Sequence, residues 1–501
     1  MIKKYFRRHP IRTRRALEIL PGFFSWSMIL FPIWGSFLVP TLVAYYVITF
    51  AVYWLYRSFS LAILSTLAHL KIRAASKFDW VGDLKKTFPE KWDSIHHLII
   101  IPTYKEPLST LERTLDHLGK QNFPLKNLHI MLSFEDREGE EAREKAKELS
   151  KKYTRYFGHL WTTFHPDIEG EVKGKSSNTC WGAKVAKKKL VDQLGLEIEK
   201  ITITSEDADA LFHQSYFAYL TFEFLKSPTP FNKAWQGNIV FYNNIWKVPA
   251  MVRVLSSVFS ITQMYILMRH DRLINFSTYS TSLKHVDEIG YWDTDVIPED
   301  YRLFFKSYFA KKGNFDVDPI FLPISADAAE ADGRWNTYKN QYRQLQRWAW
   351  GTSDDAYIIR QYVLTEGVPF WDKTIRVIKV IEDHFLWPVN WFAITVSALF
   401  PPLLNEQFSR TVLGKTLPQV TSALLTLSLI SMVAIFILDA INRPQRPQKS
   451  IVGKLFSYLL QPLEFLLLPV VGFFFSALPG LDAHTRLMLG KYIEYKVTEK
   501  I

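Results

Sequence analysis

Two carboxylates one residue apart, Asp207 and Asp209 in TSEDADA, follow the β-branched run KITIT, which predicts a strand. On a strand-end loop that spacing lets both side chains share one hydrated divalent cation, and Mg2+ or Mn2+ suits such hard oxygen donors. A cation held there can also grip a diphosphate. Lys175 and Asn178, after Gly174 in GKSSNT, open a predicted helix. An ammonium and free backbone N–H groups at a helix start can hold phosphate or orient a neighbouring loop, and a plain serine-capped start is the blander reading. Asp300, in VIPEDYRLF, lies at another predicted helix start, as a carboxylate able to take a proton from a hydroxyl or simply as a cap. QLQRW, Gln344 to Trp348, adds Arg347, whose planar fork suits a diphosphate. Its Trp348 suits stacking on a sugar ring, or anchoring at a membrane interface.

These residues need a scaffold. Between Asp93 and about Ala329, apolar β-rich runs alternate with helical patterns: IHHLIIIPTY, PLSTLERTLDHLGKQ, LHIMLSF, EEAREKAKELSKKYTRYF, HLWTTF, a Lys-rich helix and KITITSEDADA. The alternation predicts an α/β domain with a mainly parallel sheet and helices on both faces. Ligands of such sheets bind beyond the carboxyl ends of the strands. The polar residues that end these runs are therefore candidates: Thr103, Tyr104 and Glu106, then Glu135 and Asp136, then Asp207 and Asp209. Val248 to Met268 is apolar, but Arg253, Gln263 and several hydroxyls interrupt it. We expect a buried or surface-lying helix there, because a crossing would part the two halves of the candidate set.

A length of 501 residues with 48% hydrophobic and 15% aromatic content exceeds one ordinary domain and fits a soluble body joined to a membrane part. Ile19 to Tyr56 contains no Asp, Glu, Lys, Arg or His. At about 1.5 Å per helical residue that run crosses a hydrocarbon core of about 30 Å nearly twice, with Gly35 to Pro40 as the hairpin. Phe385 to Asn405 and Thr416 to Leu438 read as further spans. Leu455 to Leu481, broken by Pro462, Glu464 and Pro469, reads either as one span or as an interfacial helix followed by a span or re-entrant hairpin. MIKKYFRRHPIRTRR holds seven Lys or Arg and no acid, so the positive-inside rule puts it in the cytosol; the basic loop Asn442 to Lys454 is expected there too. The apolar run is too long for a signal peptide and is expected to be a retained anchor. The net charge of +12 is densest beside the first span, so anionic lipid headgroups are the expected partner and nucleic acid is not. A single cysteine, Cys180, excludes an internal disulfide. The expected division is a basic N-terminus with two membrane helices over 1–75, a catalytic domain over 76–372, and a membrane region with a short tail over 373–501.

In order, IIIPTYKEP, SFEDREG, GKSSNT, the DAD of TSEDADA, IPED and QLQRW resemble the motif set of membrane-embedded family 2 glycosyltransferases, which include cellulose, chitin and hyaluronan synthases. The resemblance covers roughly residues 95–351. It implies a GT-A-type (Rossmann-like) cytosolic catalytic domain inserted between N- and C-terminal transmembrane helices, a divalent cation (Mg2+ or Mn2+), and inversion at the anomeric carbon. By this likeness Thr103, Tyr104, Glu106 and Asp136 surround the nucleoside, and Lys175 with Asn178 supports the diphosphate. Asp207 meets nucleotide and metal, Asp209 ligates the metal, Gln344 and Arg347 face the donor, Glu299 and Trp348 face the acceptor, and Asp300 is the base. The implied activity is transfer of a hexosyl or N-acetylhexosaminyl unit from a nucleotide-sugar, a UDP-sugar first, by a processive polysaccharide synthase in the cell membrane. A single transfer to a lipid-linked acceptor is the alternative, and an inactive membrane scaffold or channel a weaker one. Two departures stand out: NFSTYSTSLK, Asn275 to Lys284, replaces a Gly-rich or Cys-containing acceptor loop, and QLQRW differs from the QRRRW of cellulose synthases. The tail KYIEYKVTEK looks like the short segment after the last membrane helix in such synthases, which implies a cytosolic C-terminus.

Overall fold

A computed structural model describes residues 2–446, 461–494 and 498. At its centre is an eight-stranded sheet: β1 (His96–Thr103), β2 (Leu128–Glu135), β3 (His159–His165), β4 (Ile201–Ser205), β5 (Leu211–Phe212), β6 (Lys233–Val240), β7 (Tyr279–Ser282) and β8 (Asp316–Ser325). The spatial order is β3-β2-β1-β4-β7-β6-β8-β5. One half, β3-β2-β1-β4, is parallel throughout, as the alternation predicts. The sheet stays mainly parallel beyond it, since β6 and β8 run parallel to each other, but β7 runs antiparallel to both β4 and β6, and β5 antiparallel to β8.

Why β1 reads as an unbroken apolar run is clear from its two faces. Ile99 and Ile101 pack with Leu111, Leu115 and Leu149 of the helices Leu108–Leu118 and Glu140–Tyr153. Leu98 and Ile100 face the other way, against Cys180 and Ala183 of helix Lys175–Lys187. A strand covered on both faces reads as a near-continuous apolar run, and its one fully buried imidazole, His97, is satisfied by Thr202 Oγ1 at 2.7 Å and Thr221 Oγ1 at 2.8 Å. At the carboxyl end the parallel register sets Ile100 opposite Ser205, which brings Thr103 and the loop after β4 to the same edge.

Among the described residues, five helices are long and apolar enough to cross a membrane by length and composition: Pro10–Leu38, Pro40–Lys77, Ala250–Leu267, Val412–Asn442 and Pro462–Met488. Phe370–Thr395 and Ser397–Leu404 form a pair bent by 48° that would make a sixth. These correspond to the expected spans, with one addition. Ala250–Leu267, expected to be buried, is the most enclosed of the five, with 56% of its apolar window covered. Val252 and Met264 pack with Ile72 of helix Pro40–Lys77, so that long helix, about 57 Å at 1.5 Å per residue, leaves the apolar region and props up the domain. The N-terminal helix meets the C-terminal one: Ser25 Oγ lies 2.9 Å from His484 Nδ1, and Arg15 Nη1 donates to the Leu487 carbonyl at 2.7 Å. The question of a hairpin near Leu455 falls largely on residues 447–460, outside the described residues, as does most of the basic loop before Lys454.

Candidate active site

At the carboxyl edge of the sheet lies a cavity of about 520 Å3. Thr103, Tyr104, Glu106, Lys175, Asn178, Asp207, Asp209, Glu299, Asp300, Gln344, Arg347 and Trp348 all line it. Asp136 alone of the predicted residues does not. The strand β2 ends at Glu135, whose side chain faces the cavity, while Asp136 turns outward onto Arg143 at 2.5 Å. The chain leaves the extended conformation at Asp136, the first residue of the 3-10 turn Asp136–Glu138.

Lys175 is the electrostatic hub. Its Nζ lies 2.7 Å from Asp207 Oδ1 and 3.0 Å from Glu299 Oε1. Burial works against the ammonium, but Asp207 and Glu299 outweigh it and hold the proton on well above the ordinary lysine range. Asn178 acts on the scaffold instead. Its Oδ1 accepts from Ser133 Oγ at 2.6 Å and its Nδ2 donates to the Ser133 carbonyl at 2.7 Å, fastening the helix that carries Lys175 to β2.

Ser277, in the loop where the sequence departs from the synthase pattern, ties the site together. Its N–H donates to Asp300 Oδ2 at 3.1 Å, its hydroxyl donates to Asp207 Oδ2, and its carbonyl accepts from Lys175 Nζ. It does so with φ of 56°, a left-handed conformation uncommon outside glycine. Glu135, a strand-end candidate from the sequence, borders the cavity, whereas sequence reasoning passed over Ser277, for which the available signal was its place in the departing loop.

Asp300 sits in the first turn of helix Glu299–Ala310 and also accepts from the Tyr301 N–H at 2.9 Å. It is partly exposed, but into the cavity, so protein rather than bulk water sets its titration. Burial pushes its carboxyl up to about 7, and Glu299 adds to that, while Lys175 and the two backbone N–H groups pull the other way. The loop carboxylates differ from each other. Asp209 is buried and its Oδ2 accepts from the Asp327 N–H at 2.7 Å, whereas Asp207 is held by Lys175 and Ser277. Beside them Glu206 is fully buried, and burial followed by Asp207 and Asp209 raises its carboxyl well above the usual range.

On the far wall helix Arg334–Ala349 presents Gln344, Arg347 and Trp348. Arg347 Nη2 donates to Thr498 Oγ1 at 2.9 Å, so the described residue of the tail returns to this cavity. Trp348 stands among Phe241, Phe259 and Phe276 with ring centroids 5.9, 5.2 and 5.9 Å away, edge-on to Phe259. These contacts fix the indole plane against the cavity.

Around the loop after β4, the four carboxylates Asp207, Asp209, Glu299 and Asp300 outnumber the Lys175 ammonium and the Arg347 guanidinium. Such a wall repels a diphosphate unless a further cation comes with it. Asp207 and Asp209 fit that role, since Mg2+ and Mn2+ take one or two carboxylates and complete their shell with water and phosphate oxygens. Among the described residues no three His, Cys, Asp or Glu converge on a closed metal cage.

Residues 202–440 match the model of glycosyl transferase family group 2. That stretch runs from β4 into the helix Val412–Asn442, taking in Asp207, Asp209, Asp300, Arg347 and Trp348. No curated protein matches the chain. Among solved structures it is similar to the mannosyltransferase PcManGT from Pyrobaculum calidifontis in complex with GDP-Man and Mn2+, at 13% identity and a TM-score of 0.39, over 74% of this chain and 99% of that one. It is also similar to S. aureus TarS 1-349 in complex with UDP-GlcNAc, at 13% identity and a TM-score of 0.36, over 80% of this chain and 94% of that one.

Proposed function

We propose that the protein is an inverting membrane glycosyltransferase that moves a sugar from a nucleotide-sugar, a UDP-sugar first, to an acceptor hydroxyl. In this reading residues 76–372 form the cytosolic catalytic domain, and the helices of 1–75 and 373–501 hold it at the cell membrane. One observation carries the reading: Asp300, at the start of a helix, shares a cavity with two loop carboxylates, a locked ammonium and a guanidinium, and burial pushes its carboxyl up to about 7. The family match over residues 202–440 supports it.

Ionised Asp300 takes the proton from the acceptor hydroxyl, whose oxygen forms the new bond to the anomeric carbon. The bond from that carbon to the diphosphate breaks on the opposite face, and the diphosphate leaves with the electron pair. This single displacement inverts the carbon. Arg347 and Lys175 meet the charge that grows on the diphosphate, and a divalent ion on Asp207 and Asp209 would add Lewis-acid stabilisation there. Trp348 places the acceptor sugar, because holding both reactants in line supplies much of the rate. Thr103, Tyr104, Glu106 and Gln344 border the donor side, and Glu299 holds Lys175 between the two sides.

The acceptor divides into two readings. QLQRW beside membrane helices supports a growing glycan and a processive synthase, while the charged membrane-side lobe of the cavity favours a lipid-linked acceptor. Incubation of the full-length protein with a panel of UDP- and GDP-sugars, measuring released nucleotide and product length, tests the proposal. Release that requires acceptor and disappears in Asp300→Asn supports it, and a panel in which no donor is consumed rejects it.

A further inference from the structure

The catalytic cavity does not end at Trp348. It continues between helix Pro40–Lys77, helix Phe370–Thr395 and the loop after Leu267, where Arg57, Arg272, Arg376 and Lys379 line it with Asp271 and Asp383. The position is at the edge of the apolar region. Arg57 is the first charge after the uncharged run Ile19 to Tyr56, and Lys379 and Asp383 come just before the run that starts at Phe385.

The guanidiniums there are fixed but not used up. Arg272 reaches Glu382 at 2.6 Å and Asp383 at 3.0 Å, Arg57 reaches Asp383 at 3.4 Å, and Lys379 reaches Asp271 at 2.6 Å. Arg376 is held by Asp316 at 2.5 Å and Asp372 at 3.5 Å. Even so, Arg57 Nη1 and Arg272 Nε are buried with no hydrogen-bond partner among the described residues, and Arg376 Nε has only the 3.5 Å approach of Asp372. Buried guanidinium N–H groups left unmatched are costly, and a group with several anionic oxygens is what answers a set of them. A neutral glycan offers hydroxyls instead, and would not call for three arginines at a membrane edge.

We propose that this lobe binds the phosphate of a membrane lipid that carries the acceptor sugar or polyol. The inference rests on the transferase reading above and names its acceptor class. The phosphate is the anchor and not the nucleophile: a phosphate oxygen is already ionised and needs no base, whereas Asp300 implies a hydroxyl. Tyr301 joins the two regions, with its ring 5.3 Å from His384 and its hydroxyl pushed up by burial, Asp383 and Asp300. A lipid held by its phosphate at Arg57 and Arg272 can extend its sugar past Tyr301 toward Trp348, while its tail stays beside helix Pro40–Lys77.

The test uses full-length protein in nanodiscs of uncharged lipid. Three titrants are compared: N-acetylglucosamine linked to farnesyl diphosphate, phosphatidylinositol, and octyl glucoside as the uncharged glycoside. At least one charged lipid should bind about tenfold or more tighter than the glycoside, the effect of a charge-assisted contact, and the tighter one identifies an isoprenoid or a glycerolipid source. Arg57→Gln and Lys379→Gln should each reduce that preference; the Lys379 change lies at the rim and keeps a test available if the other fails to fold. Equal binding of all three titrants by the wild type, or folded variants that keep the full preference, overturns the inference. UDP binding in Mn2+ is measured on the same preparation. Nucleotide binding without lipid preference removes only this inference, and lipid preference without nucleotide binding removes the transferase reading instead.

Discussion

Replacing Asp300 with asparagine separates chemistry from binding. The wild-type carboxyl accepts from two backbone N–H groups, Ser277 at 3.1 Å and Tyr301 at 2.9 Å. An amide of the same shape has one acceptor oxygen, so it keeps one bond and turns its NH2 toward the other donor, at a stability cost of about 1–3 kcal/mol. The catalytic loss is separate. Removing a general base lowers turnover by about 100-fold or more, which is roughly 2.7 kcal/mol of barrier. The pH dependence follows from the raised carboxyl. Because its folded value of about 7 lies above the ordinary aspartate range, the fold favours the protonated form, and the active carboxylate is lost as pH falls through 7. The same shift makes ionised Asp300 a stability loss that grows as pH rises from the ordinary aspartate value to about 7. Wild-type turnover at saturating donor and acceptor should therefore climb between about pH 6 and 8, and the residual rate of Asp300→Asn should be flat over that range. Nucleotide release measured by a coupled assay across this range gives both profiles. A variant with near-normal turnover, or one that keeps the same rising limb, would refute the assignment of Asp300 as base.

Three further outcomes are expected. Chelator should silence the wild type, and Asp209→Ala should weaken nucleotide-sugar binding in Mn2+ but change it little in chelator, as read by calorimetry; full activity in excess chelator counts against a metal on this loop. Trp348→Ala should shorten or abolish product more than it slows donor hydrolysis in water, because the indole faces the acceptor; an equal drop in both assigns it to the donor pocket or the fold. Arg443→Met should lower the thermal midpoint by several degrees, since Arg443 lies 2.8 Å from Asp439 and 3.1 Å from Glu464, and removing one partner of a buried ion pair costs about 3–5 kcal/mol; an unchanged midpoint would show that this network does not hold the last helices to Ala250–Leu267.

What could be read from the sequence follows its periodicity. β1, β2, β3 and β4 announce themselves because each is a run of apolar or β-branched residues between helical stretches, and their parallel order places Thr103, Glu106, Asp207 and Asp209 at one edge. The other half of the sheet gives no such signal. β7 is YSTS, four buried residues that all carry a hydroxyl, and β8 contains Pro319 and Pro323, which read as breaks. Their pairing depends on neighbours far away in the chain, which is why the antiparallel placement of β7 and β5 within a mainly parallel sheet is not legible in the sequence. In the site, the ordered motifs name residues that nearly all border the cavity, but of the strand-end pair Glu135 and Asp136 only Glu135 does. Ser277 and the lobe of Arg57 and Arg272 lie beyond sequence reading for a different reason. Their roles arise from loops and helices up to hundreds of residues apart, as when Arg57 meets Asp383.

The transferase reading stands or falls on where a nucleotide sits, which electron cryomicroscopy of the full-length protein with UDP and Mn2+ in nanodiscs would show. The diphosphate should lie between the Asp207–Asp209 loop and Arg347, with the ion on Asp209 and the carboxylate of Asp300 free to meet an acceptor hydroxyl beside Trp348. A nucleotide seated elsewhere, or a diphosphate bound there with no ion and no contact to Arg347, would contradict it.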